Sequence, residues 1–216
     1  MLNIQLSPVV KKLLLLNLVI FLLQGLVPSI TSLFSLYHPS NVHFYPFQFF
    51  TYMFLHDDFF HLLMNSLPLV FFASYLENLL GEKKFLLLYL VCGIGAGLLH
   101  TGVHHLELVR HIERYSLDYT PSEQWDYYNH NYAYMLGASG ATFGILMASA
   151  MFFPDMSIFI FLLPVPIKMK YLVPIYAFIE LYSGVKKVEG DNVAHFAHLG
   201  GMIFAFLIIK YWQNKR

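Results

Sequence analysis

The sequence predicts an all-α polytopic membrane protein, a bundle of six transmembrane helices. Three observations predict it. The 216 residues are 57% hydrophobic and only 12% charged, against about 45–50% and 25% in soluble domains. Asp, Glu, Lys and Arg are absent from long runs: Leu13–His56, Phe59–Leu76, Phe85–Leu106, Tyr127–Pro154 and Asn192–Ile209. The basic residues also cluster at alternate ends of those runs. Formal charge is balanced, 13 against 13, so no basic face is offered to nucleic acid. The lone Cys92 excludes an internal disulfide and an all-cysteine metal cluster.

A helix crosses hydrocarbon with roughly 20 apolar residues. That length places helices near 11–30, 58–77, 84–101, 137–153, 169–185 and 194–212. The first follows Lys11 and Lys12, but its apolar run is long and no small-residue cleavage site follows, so it reads as a span rather than a removed signal. The fifth carries Glu180 and is preceded by a short apolar stretch, Met156–Pro164. That stretch either extends the fourth helix or forms a connection; counted separately, it makes seven spans. With the N-terminus in the cytoplasm, nine basic residues lie inside (Lys11, Lys12, Lys83, Lys84, Lys168, Lys170, Lys210, Lys215 and Arg216). Four lie outside: Arg110, Arg114, Lys186 and Lys187. The asymmetry favours both termini inside and an even number of spans. Of the two long external connections, 31–57 is aromatic and uncharged until Asp57, as expected for a segment at the interface. The other, 102–135, mixes charge with tyrosine and reads as a water-exposed excursion containing a short helix.

Polar side chains inside spans carry the chemical information. His61 and Asn65 lie four apart on one face of the second helix. Ser139 opens the fourth helix in Gly137–Ala138–Ser139–Gly140, and His198 lies near the start of the sixth in Ala197–His198–Leu199–Gly200–Gly201. All three helices run inward, so these four groups lie roughly 3–12 Å below the outer ends at 1.5 Å per residue. A serine beside a histidine, with neutral donors for a developing oxyanion, is the equipment of acyl transfer. Gly140 with Gly144, and Gly201 with Ala205, have the small-residue spacing that lets helix backbones touch. The same residues also admit a reading as helix packing and interhelical hydrogen bonds. His195 and His198, three apart, would equally suit a metal or a proton relay. His38, His100, His104 and His111 lack a metalloprotease His-Glu-x-x-His pattern, and no catalytic metal is expected.

These motifs resemble those of the rhomboid intramembrane serine proteases. The resemblance runs from FQFFTYMFLHDDFFHLLMN at Phe47–Asn65, through Glu77–Asn78–Leu79–Leu80–Gly81 and Tyr89–Leu90–Val91–Cys92–Gly93, to Gly137–Ala138–Ser139–Gly140 with Gly144 and Ala194–His195–Phe196–Ala197–His198–Leu199–Gly200–Gly201. It implies one rhomboid-like domain over 1–216, with Ser139 as nucleophile and His198 as general base in a dyad. It implies an oxyanion hole of His61, Asn65 and the Ser139 N–H, and a packing seam at Gly201 and Ala205 against the serine helix. His195 falls outside the dyad, as a structural or solvent-facing histidine. The resemblance makes 186–193 a cap and the fifth helix a gate admitting substrate from lipid. The implied partners are transmembrane protein substrates and the bilayer of the cell (inner) membrane, with no cofactor. Inactive relatives typically lack the serine or the histidine; this chain keeps both. Two rivals remain at this point: a silent binder of membrane proteins, and a small metal or proton transporter, for which no inverted repeat is visible.

Overall fold

The computed structural model describes residues 5–115, 134–159, 165–186 and 193–215, without the side chains of 111–115. Within them the chain is a helical bundle. Helix α1 spans Pro8–Leu26, with proline at the first helical position, where a missing N–H costs nothing. A short α2 (Ser29–Phe34) and α3 (Gln48–Thr51) frame the aromatic connection, which ends in a 3-10 turn at Tyr52–Phe54. The second span is composite. Helix α4 (Phe59–Pro68) passes into a π-helical turn, Leu69–Ala73, and then into α5 (Ser74–Leu80). Pro68 lacks an N–H and crowds the preceding turn, and a widened turn absorbs that mismatch. Helix α6 (Glu82–Tyr115) follows Gly81, whose φ of +79° suits glycine. Three further helices complete the described chain: α7 (Ser139–Phe152), α8 (Met169–Lys186) and α9 (His195–Asn214).

All six expected helices are present near their expected positions. Among the described residues, four helices can cross a membrane by length and composition: Pro8–Leu26, Phe59–Leu80, Glu82–Arg110 and His195–Asn214. Helix α7 is apolar but only 14 residues long. Helix α8 is 18 residues long and carries Lys170, Glu180 and Lys186. The third helix runs well beyond the expected end at residue 101. No proline interrupts 102–115, so the first part of the expected excursion continues α6. The remainder of that excursion, 116–133, lies outside the described residues, as do 187–192 of the expected cap. Met156–Pro164 does not extend the fourth helix. Its described part contains strand β3 (Ser157–Ile158), which pairs antiparallel with β4 (Ile167–Lys168); residues 160–164 lie outside the description. Lys168 and Lys170 both bridge Asp155 beside this ladder, at 3.0 and 2.8 Å.

Helices α6, α7 and α9 pack on one another at the centre, and the other elements surround them. The aromatic connection is backed by α6: Leu36, Tyr52, Met53, Phe54 and Leu55 are buried. One amide organises it. Gln48 Nε2 donates to the Leu33 and His43 carbonyls at 3.0 and 2.9 Å, and its Oε1 accepts from the Tyr37 N–H. Thr51 Oγ1 adds a bond to the Phe34 carbonyl, 2.8 Å. Two polar clasps hold α1. At its far end Gln24 exchanges bonds with the His56 backbone, accepting from His56 N at 3.0 Å and donating to His56 O at 3.2 Å. At its start the buried Glu77 carboxylate accepts from the backbone N–H groups of Val9 and Val10, both 2.9 Å, and from the Ser7 hydroxyl. These are donors a helix N-terminus leaves unpaired, and a carboxylate also answers the helix dipole there.

Glu77→Ala leaves those donors facing apolar neighbours. It is expected to destabilise the protein by roughly 2–3 kcal/mol, read as a fall in thermal unfolding temperature in detergent; Glu77→Gln is expected to recover part of the loss.

Candidate active site

The chain reaches α7 under close control. Strand β1 (Leu36–Tyr37) pairs antiparallel with β2 (Tyr134–Met135), with Leu36 opposite Met135 and Tyr37 opposite Tyr134. Two residues on, Gly137 N donates to the Tyr52 carbonyl at 3.0 Å. The Tyr52 hydroxyl is tied to the Gly93 carbonyl of α6 at 2.6 Å. Gly137 has φ +118°, a conformation other residues rarely adopt. A Cβ there would also lie 2.7 Å from His61 Nε2 and 3.9 Å from the Asn65 amide nitrogen. Two independent constraints thus require glycine two residues before Ser139. Ser139 itself is the first residue of α7, half-buried, with an N–H that has no partner inside the helix.

Asp58 begins α4 as a side-chain cap, accepting from His61 N at 2.7 Å. The Asp57 backbone N–H donates to His61 Nδ1 at 3.4 Å, so the neutral ring carries its proton on Nε2, the atom that faces Gly137. Asn65 is buried, and its Nδ2 donates to the His61 carbonyl at 2.9 Å. His61 and Asn65 therefore meet at the start of the serine helix, together with Gly137.

His198 is buried on α9, with its ring stacked on Phe143 of α7 at 4.1 Å and 7°. Phe143 is one turn below Ser139 on the same helix face. Among the described residues no hydrogen bond joins Ser139 Oγ to His198. His198 Nδ1 instead lies 2.9 Å from Glu180 Oε2 of α8, short of the alignment of a hydrogen bond. The same oxygen is 2.6 Å from His195 Nδ1. His195 is therefore not solvent-facing. It is partly buried and paired with Glu180, a carboxylate that the sequence presented only as an oddity of the fifth span. Its signal was available in principle, since a lone acid within a span usually has a functional partner.

The small-residue seam involves three helices rather than two. A Cβ on Gly201 would collide with the Gly140 carbonyl oxygen, so α9 and α7 touch backbone to backbone. Gly140 and Gly144 face α6, where Ala96 and Cys92 occupy the space their side chains would need. Ala205 is fully buried. Cys92 therefore acts as packing, a role its count alone did not reveal. The histidines of the first connection and of the far part of α6 stack among themselves: His38 lies on His105 at 5.4 Å and meets His104 edge-on at 5.4 Å. His130 and the side chain of His111 lie outside the described residues.

The Rhomboid domain family model matches residues 43–214. Rhomboid protein 1, mitochondrial, of Saccharomyces cerevisiae is 29% identical over 167 residues, covering 76% of this chain and 42% of that protein. Putative rhomboid protease YdcA of Bacillus subtilis is 30% identical over 171 residues, covering 74% of this chain and 66% of that protein. The chain thus spans less than half of the yeast relative and about two thirds of the bacterial one.

Two outcomes follow from this packing. Gly201→Ala is expected to cost about 1–3 kcal/mol by overpacking the α7–α9 contact. Gly25→Ala, with open space around its Cβ, is expected to be neutral in the same thermal melts. His56 precedes α4 and is almost fully buried beside His61; burial, reinforced by the His61 ring, pushes its imidazole down to about 4. A histidine depressed in the folded state contributes stability above its unfolded value of about 6.5 that is lost as pH falls toward 4. Unfolding temperature is expected to drop across that window, and His56→Phe to flatten the drop.

Proposed function

The chain belongs to the rhomboid family, and from that premise we propose that it is an intramembrane serine endopeptidase that cuts other membrane proteins in or near their transmembrane segments. The observation that carries the proposal is the convergence at the start of α7. The proton-bearing Nε2 of His61 and the Asn65 amide face Gly137, next to Ser139, while His198 stacks one turn below on Phe143. The reading takes residues 1–216 as one membrane domain with an external excursion near 102–135. In it α7 and α8 also cross the bilayer, giving six spans with both termini cytoplasmic in the cell membrane. A short α7 is compatible with a serine held below the outer surface, because a helix that starts inside the protein need not be bilayer-long.

In this mechanism Ser139 Oγ attacks the scissile carbonyl and His198 takes its proton. The carbonyl oxygen gains charge, met by His61 Nε2–H, the Asn65 amide and the unpaired Ser139 N–H. The Asn65 amide spends one N–H on the His61 carbonyl and has its second for the oxyanion. His198 gives the Ser139 proton to the leaving amine as the scissile C–N bond breaks; water then attacks the acyl-enzyme, His198 takes its proton and passes it to Ser139 Oγ as the Oγ–acyl bond breaks and the new carboxyl end is released. A substrate helix must unwind locally first, since its backbone carbonyls are already hydrogen-bonded. Helix α8 is the natural route from lipid: it lies at the edge of the bundle with Tyr171, Phe178, Tyr182 and Val185 exposed.

The test is cleavage of a single-span reporter by the purified protein in liposomes. Ser139→Ala and His198→Ala are expected to abolish cleavage with the fold intact. His61→Ala is expected to lower kcat by about 10²–10³-fold, and Asn65→Ala by less. Specific cutting by purified Ser139→Ala would sink the proposal, and so would a wild-type serine that neither cuts nor labels with a fluorophosphonate.

A further inference from the structure

Glu180 has a neighbourhood that a packing residue does not need. Its side chain is 12% exposed, on a helix whose remaining charges, Lys170 and Lys186, stand near the ends. A carboxylate inside a membrane protein is costly unless it is answered by donors. Here both answers come from α9 and reach the same oxygen: His195 Nδ1 at 2.6 Å and His198 Nδ1 at 2.9 Å. The three side chains bring their donor atoms within 4.8 Å of one another. Ligands held tetrahedrally at 2.0–2.1 Å from a metal ion would stand roughly 3.3 Å apart. The observed separations are shorter, in the range of direct nitrogen–oxygen contacts.

The orientation of His198 gives the contact its meaning. An imidazole that serves as base toward a serine needs one nitrogen bare and the other fixed by its proton. With Nδ1 turned to Glu180 and the ring face held flat on Phe143, the remaining nitrogen, Nε2, is left for the serine. The Nδ1–Glu180 distance is already that of a hydrogen bond; only its alignment is short of one. We propose that Glu180 is a positioning residue of the Ser139–His198 pair, selecting the Nδ1–H tautomer of His198, and that His195 holds Glu180 in place. The inference rests on the protease reading above and extends its two-residue site by a carboxylate on α8. In the chemical step the Ser139 proton passes to His198 Nε2 as the Oγ–carbon bond forms. Glu180 takes no proton; it steadies the imidazolium and keeps the ring in register.

The experiment uses the full-length protein in liposomes. Glu180→Gln is expected to lower kcat at least 10-fold with KM unchanged, because an amide can present N–H to Nδ1 and favour the wrong tautomer. Glu180→Asp, which keeps the carboxylate, is expected to recover part of that loss. Wild-type kcat in Glu180→Gln would overturn the proposal. So would kcat and KM falling or rising together, and equally, in both variants, since that marks a change in the gate or in packing. A second readout needs neither turnover nor a folded variant: imidazole ¹⁵N shifts of His198 in the wild-type protein. They are expected to show Nδ1 protonated and Nε2 bare, and the opposite tautomer would overturn the assignment. Cleavage surviving in Ser139→Ala would defeat the protease reading instead, and the ¹⁵N result would still decide whether Glu180 sets the tautomer.

Discussion

The architecture depends on one contact between two backbones. Gly201 of α9 lies against the carbonyl of Gly140 in α7, closer than any side chain permits. In lipid there is little hydrophobic gain from bringing helices together, so association relies on close van der Waals packing and on polar groups shared between helices. Small residues provide the first. Ala96 and Cys92 of α6 fill the hollows left by Gly140 and Gly144, and Gly200 lies against the α6 backbone at Ala96. Three helices thereby become one unit, and the distances among Ser139, His198 and their neighbours are set by glycine rather than by the polar groups themselves.

Several of the polar groups are answered locally. His61 receives a backbone N–H, Asn65 bonds back to its own helix, Gln48 collects three backbone groups, and Glu180 collects two histidines. This economy lets polar side chains exist within a protein otherwise faced with hydrocarbon. The outward side chains follow the opposite rule. Exposed Leu15, Leu22, Phe60 and Phe178 would promote aggregation in water, and they match the lipid that surrounds a membrane bundle.

Much of this was legible in the chain because charge patterning reports directly on lipid. Each of the six helices begins or ends within a few residues of a charge or a Gly/Pro break, although α6 runs on through Gly102. The candidate site was legible because serine, histidine and asparagine are rare enough within spans to stand out. What stayed hidden was pairing. A linear pattern does not say that Gly144 faces Cys92, that Gln48 anchors the first connection, or that Glu180 meets His195 and His198 across two helices. Asp58 was visible as a charge before α4 but not as the cap that fixes His61. The short α7 departed from the expected span length because its first turn is set by Gly137 and the β1–β2 ladder, not by the bilayer.

The clasp at the start of α1 joins groups as many as 70 positions apart in the chain. Ser7, Val9 and Val10 emerge during synthesis long before the carboxylate that answers them exists. Until Glu77 arrives, the leading end of α1 must be solvated by water or lipid headgroups. The first helix therefore remains unlatched while the next hairpin is built, and it locks only when the second crossing returns to the same side. Biogenesis acquires a direction from this: α1 is made before α5 but is secured only after it, and its docking reports that the return crossing has been completed.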